Sequence, residues 1–274
     1  PAFGDDGADF AAALVLWPKT QDEARHDLAR AARALRAGGL LAAAATNDAG
    51  GRRIEGAMKE LGLAPQKISK NKAQVCWASC SNLNRVRADE WIAAGGFRPV
   101  ADTGLQTCAG LFSADHADAG SLLLQSHLPA DLSGRGADFG CGYGLPAVFA
   151  ARHCPAISHL TLIDHDARAL EACRRNMEAA QALPCTYLWH DLQEAPPGTL
   201  DFVFSNPPFH QGHATLPALG RAFIRQAALL LKPGGKFHMV ANTHLAYEQA
   251  LEAEFSTHRR LHQAQGFKIL EAIK

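Results

Sequence analysis

The chain has 274 residues, and at roughly 100 to 200 residues per domain this length suggests two domains or one large one. Apolar residues make up 47% of it and charged residues 20%, which excludes a disordered, collagenous or coiled-coil chain and leaves a folded globular protein. Its 27 basic and 27 acidic residues cancel, so any contact with nucleic acid must be local and cannot depend on the net charge.

We expect neither export nor insertion into a membrane. No apolar run approaches the ~18 residues needed to span a bilayer, and the opening residues are acidic where those of a signal peptide would be basic. The seven cysteines are odd in number and scattered, which argues against a disulfide framework. The reducing cytoplasm therefore suits the chain best.

The start of the chain contains a weaker copy of a pattern that returns near its end. In each copy Asp-Phe leads into an apolar strand and a proline turn, and an Ala-rich helix ending in two glycines leads into a second strand. We interpret the repeat as an internal duplication, with chance similarity of Ala-rich helices as the alternative. The matched pairs are Asp9-Phe10 with Asp201-Phe202, Trp17-Pro18-Lys19 with Asn206-Pro207-Pro208, Gly38-Gly39 with Gly234-Gly235, and Thr46-Asn47 with Asn242-Thr243.

The first copy has no counterpart of the glycine loop described below, because the chain begins at about its fourth strand. Either the N-terminal domain is half a sheet or the chain is part of a longer protein. A stretch with Pro and Gly around Val100 to Leu105 breaks the pattern and is interpreted as the linker. We therefore predict a degenerate domain over residues 1–104 and a second domain over residues 105–274.

Positive charge is concentrated between Arg52 and Gly104, where nine basic residues stand against five acidic ones. Such a local excess, with Trp77 inside it, is typical of a surface that binds the RNA backbone. Ordinary solvated surface charge is an equally good explanation. The basic side chains of this block include Arg52, Arg53, Lys59, Lys67, Lys70, Lys72, Arg85 and Arg87.

Short apolar strands alternate with longer amphipathic helices from residue 136 onward, the pattern of an α/β domain with a mainly parallel sheet. The predicted strands contain Ala137–Phe139, Leu160–Ile163, Tyr187–Trp189, Phe202–Phe204 and Phe237–Ala241. The predicted helices are Leu145–His153, Asp166–Ala180 and Leu216–Leu231, the last ended by Pro233, Gly234 and Gly235.

A glycine loop with Gly140, Gly142 and Gly144 follows Asp138, where a strand gives way to a helix. Glycines let the backbone turn sharply and let a ligand approach the carboxyl edge of the sheet. The G-x-G-x-G spacing and the acid at Asp138 disfavour a dinucleotide, because a carboxylate would repel a pyrophosphate. They favour a ligand with an ammonium group, such as the methionine end of S-adenosylmethionine. A glycine turn without a ligand is the alternative.

Three further acids follow predicted strands. Asp164 lies 20 residues after Gly144, where a carboxylate can accept both ribose hydroxyls of a nucleotide. Its rival Asp166 is better explained as the cap of the next helix. Asp191 follows the third strand and can accept a hydrogen bond from an adenine amino group, with a turn or cap role as the alternative.

Asn206-Pro207-Pro208-Phe209 is the most specific feature of the sequence. An exocyclic amine on a base is a poor nucleophile, because its lone pair is delocalised into the ring. The Asn206 side-chain oxygen and the Pro207 carbonyl can each accept one of its N–H bonds and direct the lone pair toward a methyl group. The two prolines fix the backbone, and Phe209 offers a face on which a flipped base could stack. A simple turn is the alternative.

Other candidates are weaker. His210 and His213 could bind a metal, but the sequence offers no evident third ligand. Cys76 and Cys80 are expected to pack inside, and no combination of serine, cysteine and histidine suggests a nucleophilic triad.

Together these features resemble the class I S-adenosylmethionine-dependent methyltransferases over the C-terminal 170 residues. Within that class the chain is similar to the bacterial ribosomal RNA guanine-N2 methyltransferases, of the ribosomal RNA small subunit methyltransferase C type. The likeness is strong after Leu105 and loose before it. The motifs that carry it are Gly110-Leu111-Phe112, Asp118-Ala119-Gly120-Ser121 with Leu122 to Leu124, Asp138 to Gly144, Asn206-Pro207-Pro208-Phe209-His210-Gln211-Gly212 and Val240-Ala241-Asn242.

The resemblance implies a Rossmann-like catalytic domain with a mostly parallel seven-stranded sheet. It also implies a partial methyltransferase-like domain before it that has lost cofactor binding, with Trp17-Pro18-Lys19 in place of the active motif. The implied reaction moves a methyl group from S-adenosylmethionine to the N2 amine of a guanine in ribosomal RNA, 16S being the first expectation. The cofactor would be held by Asp138, Gly140, Gly142, Gly144, Asp164 and Asp191, and the base by Asn206, Pro207, Pro208 and Phe209.

The expected partner is ribosomal RNA or the small ribosomal subunit, and the expected state is a cytoplasmic monomer without a metal. N5-methylation of a protein glutamine is the first alternative function, because the nitrogen of a side-chain amide is likewise a poor nucleophile that the same motif could orient. A non-catalytic RNA-binding protein with a vestigial site is disfavoured by the intact Asn206 and Asp138. An NAD-dependent oxidoreductase is the weakest alternative.

Overall fold

The computed structural model describes residues 9–181, 183–192, 199–208, 210–211, 214–215 and 217–274, and of residues 210, 211, 214 and 215 only the backbone. The chain divides into two compact units. The first contains the described residues up to Phe97 together with Cys108–Gly110, and the second contains Arg98–Thr107 and the described residues from Leu111 to Lys274. Among the helices of the described residues, none combines the length and the apolar character needed to cross a bilayer.

A four-stranded sheet forms the centre of the first unit. Its order is β1-β2-β4-β3, with β1 parallel to β2 and the remaining pairs antiparallel. The elements of this unit are β1 (Phe10–Leu16), α1 (Gln21–Arg33), β2 (Leu35–Thr46), a 3-10 turn (Gly51–Arg53), α2 (Ile54–Glu60), β3 (Gln66–Lys70), β4 (Ala73–Ser79), a second 3-10 turn (Cys80–Asn82) and α3 (Arg85–Gly95).

Helix α1 forms because its apolar residues share one stripe. Ala24, Leu28 and Ala32 recur every four residues and are at most 1% exposed, so that they lie on one face. Asp22 in its first turn and Arg33 in its last turn complement the helix dipole. The stripe packs in one core with residues of β1, β2 and β4, which covers one face of the sheet.

A seven-stranded sheet forms the second unit, in the order β14-β15-β13-β10-β7-β8-β9. The strands from β13 to β9 are parallel, and β15 runs antiparallel between β13 and β14. The elements are β5 (Arg98–Pro99), β6 (Gln106–Thr107), α4 (Ala119–Gln125), β7 (Gly134–Phe139), α5 (Leu145–His153), β8 (Ile157–Asp164), α6 (Ala167–Ala179), β9 (Cys185–Trp189), β10 (Leu200–Ser205), β11 (His210–Gln211), β12 (Ala214–Thr215), α7 (Pro217–Leu230), β13 (Leu231–Asn242), α8 (Glu248–Glu254), β14 (Thr257–Ala264) and β15 (Phe267–Ile273). The mostly parallel, Rossmann-like class I sheet predicted from the sequence is confirmed.

Both faces of this sheet are buried. Successive residues of β10 enter opposite layers: Phe202 and Phe204 join the core formed with α4, α5 and α6, and Val203 joins the core formed with α7 and α8. Each of the three is at most 2% exposed, and full burial of such a side chain stabilises the fold by about 1.5 to 3 kcal/mol. This explains why the sequence of β10 is a continuous apolar run and does not alternate between apolar and polar residues.

The order of the parallel strands determines where a ligand can bind. Strand β7 lies in the middle, with β8 on one side and β10 on the other. The chain continues from β7 to β8 and β9 on one side and later returns to β10 on the other. A crevice opens at the carboxyl ends of strands where the direction of winding reverses in this way. Asp138 near the end of β7 and Asn206 just after β10 both lie at this reversal.

The two units share one detail of strand pairing. In the first, Phe10 pairs with Leu35 and then Ala12 with Leu40. In the second, Leu200 pairs with Leu231 and then Phe202 with Lys236. Between the two pairings the first strand moves on by two residues and the second strand by five, and this holds in both units.

Candidate active site

The glycine loop between β7 and α5 is fixed by hydrogen bonds to β8. The amides of Gly140 and Cys141 donate to the carbonyl of Ile163 at 2.9 and 3.0 Å. The amide of Gly142 donates to Asp164 Oδ2 at 2.9 Å. Gly142 has a φ of 53°, and a Cβ placed on it would meet no described atom within 4 Å apart from its chain neighbours. The loop is therefore open at Gly142, where a ligand can approach the backbone.

Helix α6 holds the other end of the loop. Gly144 has a φ of 88°, and a Cβ there would come within 2.6 Å of Cys173 Sγ, so that only glycine permits this packing. Asn176 Nδ2 donates to the carbonyls of Tyr143 and Gln106 at 2.7 and 2.9 Å, and its Oδ1 accepts from Gln106 N at 2.6 Å. The side chain of Asn176 thus connects the glycine loop to the segment that contains β6.

Asp138 is a buried acid with an unused oxygen. It is 1% exposed, and its Oδ2 has no hydrogen-bond partner among the described residues. Burial raises the pKa of Asp138 well above its usual range, and the neighbouring negative charge of Asp164 raises this pKa further. A positively charged ligand group beside Oδ2 would offset both effects.

Asp164 ends β8 and is 7% exposed. Besides Gly142, it accepts from the amide of Asp166 through Oδ1 at 2.9 Å, and the exposed His165 ring places Nδ1 3.3 Å from the same oxygen. The hydrogen bond to Asp164 raises the pKa of His165. Asp164 therefore links the glycine loop to the start of α6, and its predicted contact with a ribose stays a prediction.

The other two acids differ in position. Asp166 is the N-cap of α6 and accepts from Arg168 N at 2.9 Å, which confirms its predicted capping role. Asp191 is an exposed residue two positions after the end of β9. Its position at the carboxyl edge of the sheet agrees with the prediction that it follows the third strand. Its contact with an adenine stays a prediction.

Asn206 follows β10 at the reversal of strand order. The strand end is tied to β7, because Ser205 Oγ donates to the Phe139 carbonyl at 2.7 Å. Asn206 Nδ2 donates to Asp118 Oδ2 at 2.7 Å and to Ser121 Oγ at 2.8 Å. Asn206 Oδ1 is buried and has no partner in the described parts of the chain. This oxygen is the atom that was predicted from the sequence to accept a hydrogen bond from an exocyclic amine.

The rest of this motif is described in part. Pro207 is buried and Pro208 is exposed. Phe209 and His213 lie outside the described residues, as does the side chain of His210. The stacking of a base on Phe209 therefore stays a prediction, and so does the absence of a metal at the two histidines.

Sequence reasoning missed Asp118 and Ser121 as site residues. Asp118 is the N-cap of α4, and its Oδ2 accepts from Ser121 N at 2.7 Å. A capping acid three residues before a serine, followed by the apolar run Leu122 to Leu124, is a signal for a helix start. That signal predicts the helix but not its contact with Asn206, which is 88 residues away.

Several acidic side chains lie at this crevice. Burial raises the pKa of the Tyr143 hydroxyl to about 12, with smaller contributions from Asp118 and Asp102. Together with Asp138 and Asp164, these acids favour a ligand that carries positive charge. The unused Asp138 oxygen and the open approach to Gly142 thus fit S-adenosylmethionine, whose methionine end carries an ammonium group and a sulfonium.

The cysteines take no part in the crevice as catalytic groups. None of the seven forms a disulfide bond in the described structure, and Cys76 and Cys80 are buried as predicted. Burial raises the pKa of the Cys141 thiol well above its usual range, which opposes formation of a nucleophilic thiolate. Within the described ranges, no group of three or more His, Cys, Asp or Glu side chains could hold a metal ion.

Comparisons with known proteins place this geometry in a family. The profile of the Methyltransferase small domain family matches residues 102–271. The chain is 32% identical to the Ribosomal RNA small subunit methyltransferase C of Escherichia coli O17:K52:H18 over 272 residues, which cover 99% of this chain and 78% of the relative. It is 33% identical to the protein of the same name from Cronobacter sakazakii over 269 residues, with coverage of 97% and 76%.

A solved structure agrees with these relatives. The 16S rRNA N2 G1207 methyltransferase of T. thermophilus, in complex with AdoMet and guanosine, superposes with a TM-score of 0.79 at 26% identity, covering 98% of this chain and 74% of that one. The resemblance seen in the sequence is confirmed. The chain belongs to the ribosomal RNA small subunit methyltransferase C family of class I S-adenosylmethionine-dependent methyltransferases.

Proposed function

We propose that this chain transfers a methyl group from S-adenosylmethionine to the exocyclic N2 amine of a guanine in 16S ribosomal RNA. The observation that carries the proposal is the buried, unpartnered Oδ1 of Asn206 at the carboxyl edge of the sheet. The relatives named above support the substrate class, since their names specify small-subunit ribosomal RNA and one of them was solved with guanosine.

The chain's own groups would bring the amine to the reacting position. Asn206 Oδ1 and the Pro207 carbonyl accept its two N–H bonds, so that the nitrogen lone pair points away from them. S-adenosylmethionine supplies a methyl group on a positive sulfonium. The N–CH3 bond forms as the S–CH3 bond breaks, and the amine then loses a proton to water. Because the leaving group is a neutral thioether, catalysis depends mainly on the orientation of the amine.

The cofactor site would be built from residues on three strand ends. Asp138 Oδ2 accepts a hydrogen bond from the ammonium group, and the loop formed by Gly140, Gly142 and Gly144 leaves space for the methionine portion at Gly142. Asp164 accepts the ribose hydroxyls and Asp191 the adenine amino group. The open approach to Gly142 and the unused Asp138 oxygen support this arrangement.

For the N-terminal region, predicted as residues 1–104, we propose a partial methyltransferase-like domain without a cofactor site. Its support is the shared register of β1–β2 and β10–β13. That register equates Phe10 with Leu200 and Val15 with Ser205, which brings Leu16 to the position of Asn206 and Trp17 to that of Pro207. It corrects the pairing of Phe10 with Phe202 and of Trp17 with Asn206 that was predicted from the sequence, because local likeness of Asp-Phe and of the proline turns does not determine strand register. Leu16 has no side-chain acceptor, so this unit could not orient an amine.

The same unit would dock RNA at the carboxyl edge of its sheet. The amide of Asn47, just after β2, donates to the carbonyl of Lys72 at 2.7 Å, which joins the β3–β4 turn to the loop before Gly51–Arg53. Two other cations of the basic block, Lys59 and Lys67, share one acid, Glu55. The docking side chains would be Arg52, Arg53, Lys70 and Lys72.

The direct test is methylation of transcribed 16S rRNA, free and assembled into small subunits. We expect binding of S-adenosylmethionine by calorimetry and the appearance of N2-methylguanosine in nuclease digests analysed by mass spectrometry. A methyl group on a protein glutamine would favour the glutamine N5-methyltransferase. Cofactor binding without any transfer would favour the vestigial, RNA-binding alternative. As a ribosomal RNA enzyme the protein would act in the cytoplasm, and we expect a monomer in light scattering.

A further inference from the structure

The amide of Asn206 is held by two residues in the first turn of α4. Its nitrogen donates to Asp118 Oδ2 at 2.7 Å and to Ser121 Oγ at 2.8 Å. A side-chain amide nitrogen carries two hydrogens and no acceptor, so both of its bonds are used. The oxygen is thereby turned away from α4, buried and without a donor among the described groups.

The opposite orientation of this amide is disfavoured by Asp118. An ionised carboxylate has acceptors only, so exchanging the two ends of the amide would bring Asn206 Oδ1 against an oxygen that has no proton to give. The N–H groups would then leave the two acceptors that they now use. Asp118 therefore determines which end of Asn206 faces the crevice.

Asp118 itself is held firmly. Its Oδ2 also accepts from Ser121 N at 2.7 Å, and Leu124 one turn later is fully buried in the core. A Cβ on Gly120 would lie 3.0 Å from Asp118 Oδ2 and 3.2 Å from Phe267 Cε1, so the turn has little room for a larger residue. The carboxylate is thus fixed by packing as well as by hydrogen bonds.

We propose that Asp118 and Ser121 are positioning residues that fix Asn206 Oδ1 toward the substrate and make the site selective for an N–H donor. This inference rests on the proposed function and deepens it. Guanine presents a donor at its N2 amine and an acceptor at its O6 carbonyl. A fixed oxygen accepts a hydrogen bond from the amine and repels the carbonyl, so the base is held by its N2 amine and not by O6.

The principal test replaces Asp118 by asparagine. Asp118→Asn keeps the shape but can offer N–H groups, so both orientations of Asn206 become possible. We expect kcat for methylation of 16S rRNA in small subunits to fall by about 10- to 100-fold, with unchanged affinity for S-adenosylmethionine. In an Asn206→Ala background the same change should have no further effect, because the group that Asp118 orients is absent.

Matched variants separate positioning from folding. Asp115→Asn makes the same change three residues earlier, at an exposed carboxylate that pairs with Arg98, and should keep the wild-type kcat. Ser121→Ala should lower kcat less than Asp118→Asn does, and Ser121→Thr, which keeps the hydroxyl, should stay closer to wild type. If Asp118→Asn fails to fold, the two Ser121 variants decide the question. Additive losses in the Asn206→Ala background would assign Asp118 a merely structural role and overturn the proposal.

A binding experiment keeps the inference independent of turnover. Guanosine and inosine differ only in the 2-amino group, and their affinities can be compared by competition in the presence of S-adenosylhomocysteine. Wild-type protein should prefer guanosine, and Asp118→Asn should reduce that preference. Equal affinity of the wild type for both nucleosides would overturn the inference. A preference without any transfer to RNA would instead refute the proposed function and leave the selectivity standing.

Discussion

The amide of Gly142 lies 2.9 Å from Oδ2 of Asp164 and donates a hydrogen bond to it. This contact joins the glycine loop after one strand to the acid at the end of the next, although the residues are 22 positions apart in sequence. Asp164 therefore has two functions to separate: it shapes the loop, and it is predicted to bind the ribose.

Asp164→Ala should weaken the affinity for S-adenosylmethionine by about 1 to 3 kcal/mol, because hydrogen-bonding groups lose their partner. Asp164→Asn is the informative companion, since its oxygen can still accept from Gly142, whereas its nitrogen can accept neither from the amide of Asp166 nor from a ribose hydroxyl. Calorimetric titration of both variants measures the two functions. Unchanged affinity in both would move the ribose contact to another residue.

Asn206→Ala should remove most of the turnover and leave cofactor binding nearly intact. The reason is that the lost oxygen acts on the amine, whereas the predicted cofactor contacts come from other strand ends. Steady-state methylation and calorimetry on one preparation measure both quantities. Should the substituted protein also stop binding S-adenosylmethionine, Asn206 would be a cofactor or structural residue and the catalytic assignment would be wrong.

Asn176→Ala should destabilise the second unit by about 1 to 3 kcal/mol, because Gln106 and the Tyr143 carbonyl lose buried hydrogen-bond partners. Chemical denaturation followed by circular dichroism measures the change. The exposed Asn71, in the turn between β3 and β4, supplies the matched control Asn71→Gly at a φ of 51°, which should leave the second unit unaffected. A loss confined to cofactor affinity would show that Asn176 acts on the loop and not on stability.

The parts of the fold that follow local patterns were predictable. The helix predicted at Leu145–His153 has those bounds in the structure, because Gly144 precedes it and Pro146 lies in its first turn. The helix predicted to end at Leu231 ends at Leu230, and Leu231 instead begins β13 by pairing with Leu200. Leu216, its predicted first residue, lies outside the described residues.

The parts that depend on distant pairing were not predictable. Strand β14 is an edge strand with exposed and half-buried positions throughout, so its residues do not show the alternation that indicates a strand. The contact between Asp118 and Asn206 spans 88 residues, and nothing in local spacing reveals it. Individual acids at strand ends could therefore be selected from the sequence, whereas the groups that orient them required the fold.

Acid should destabilise the second unit through His238. This ring is fully buried on β13, and burial lowers its pKa from 6.5 to about 4, against a smaller opposing effect of Glu271. Between these values the unfolded chain binds a proton that the folded chain does not, so stability falls as pH falls through this window and is unaffected by His238 above it. At pH 5 the loss should reach about 2 kcal/mol relative to pH 7.5, at about 1.4 kcal/mol per pH unit. Denaturation midpoints of wild type and His238→Gln at both pH values measure it, and equal slopes in the two proteins would contradict the assignment.

RNA affinity should depend on the four cations at the carboxyl edge of the first unit. Each phosphate contact contributes about 0.7 to 0.9 to the slope of log affinity against log salt, so replacing Arg52, Arg53, Lys70 and Lys72 by glutamine should flatten that slope by up to about 3. The matched control replaces Arg33, Lys59, Lys67 and Arg87 by glutamine. This change removes the same charge from the same unit, but these four side chains are already paired with acids. The control should change the slope much less, and neither variant should alter the affinity for S-adenosylmethionine. The measurement is a salt titration of binding to a 16S rRNA fragment by fluorescence anisotropy. Equal slopes for wild type and both variants would show that these side chains are ordinary solvated surface and that the RNA is held by the second unit alone.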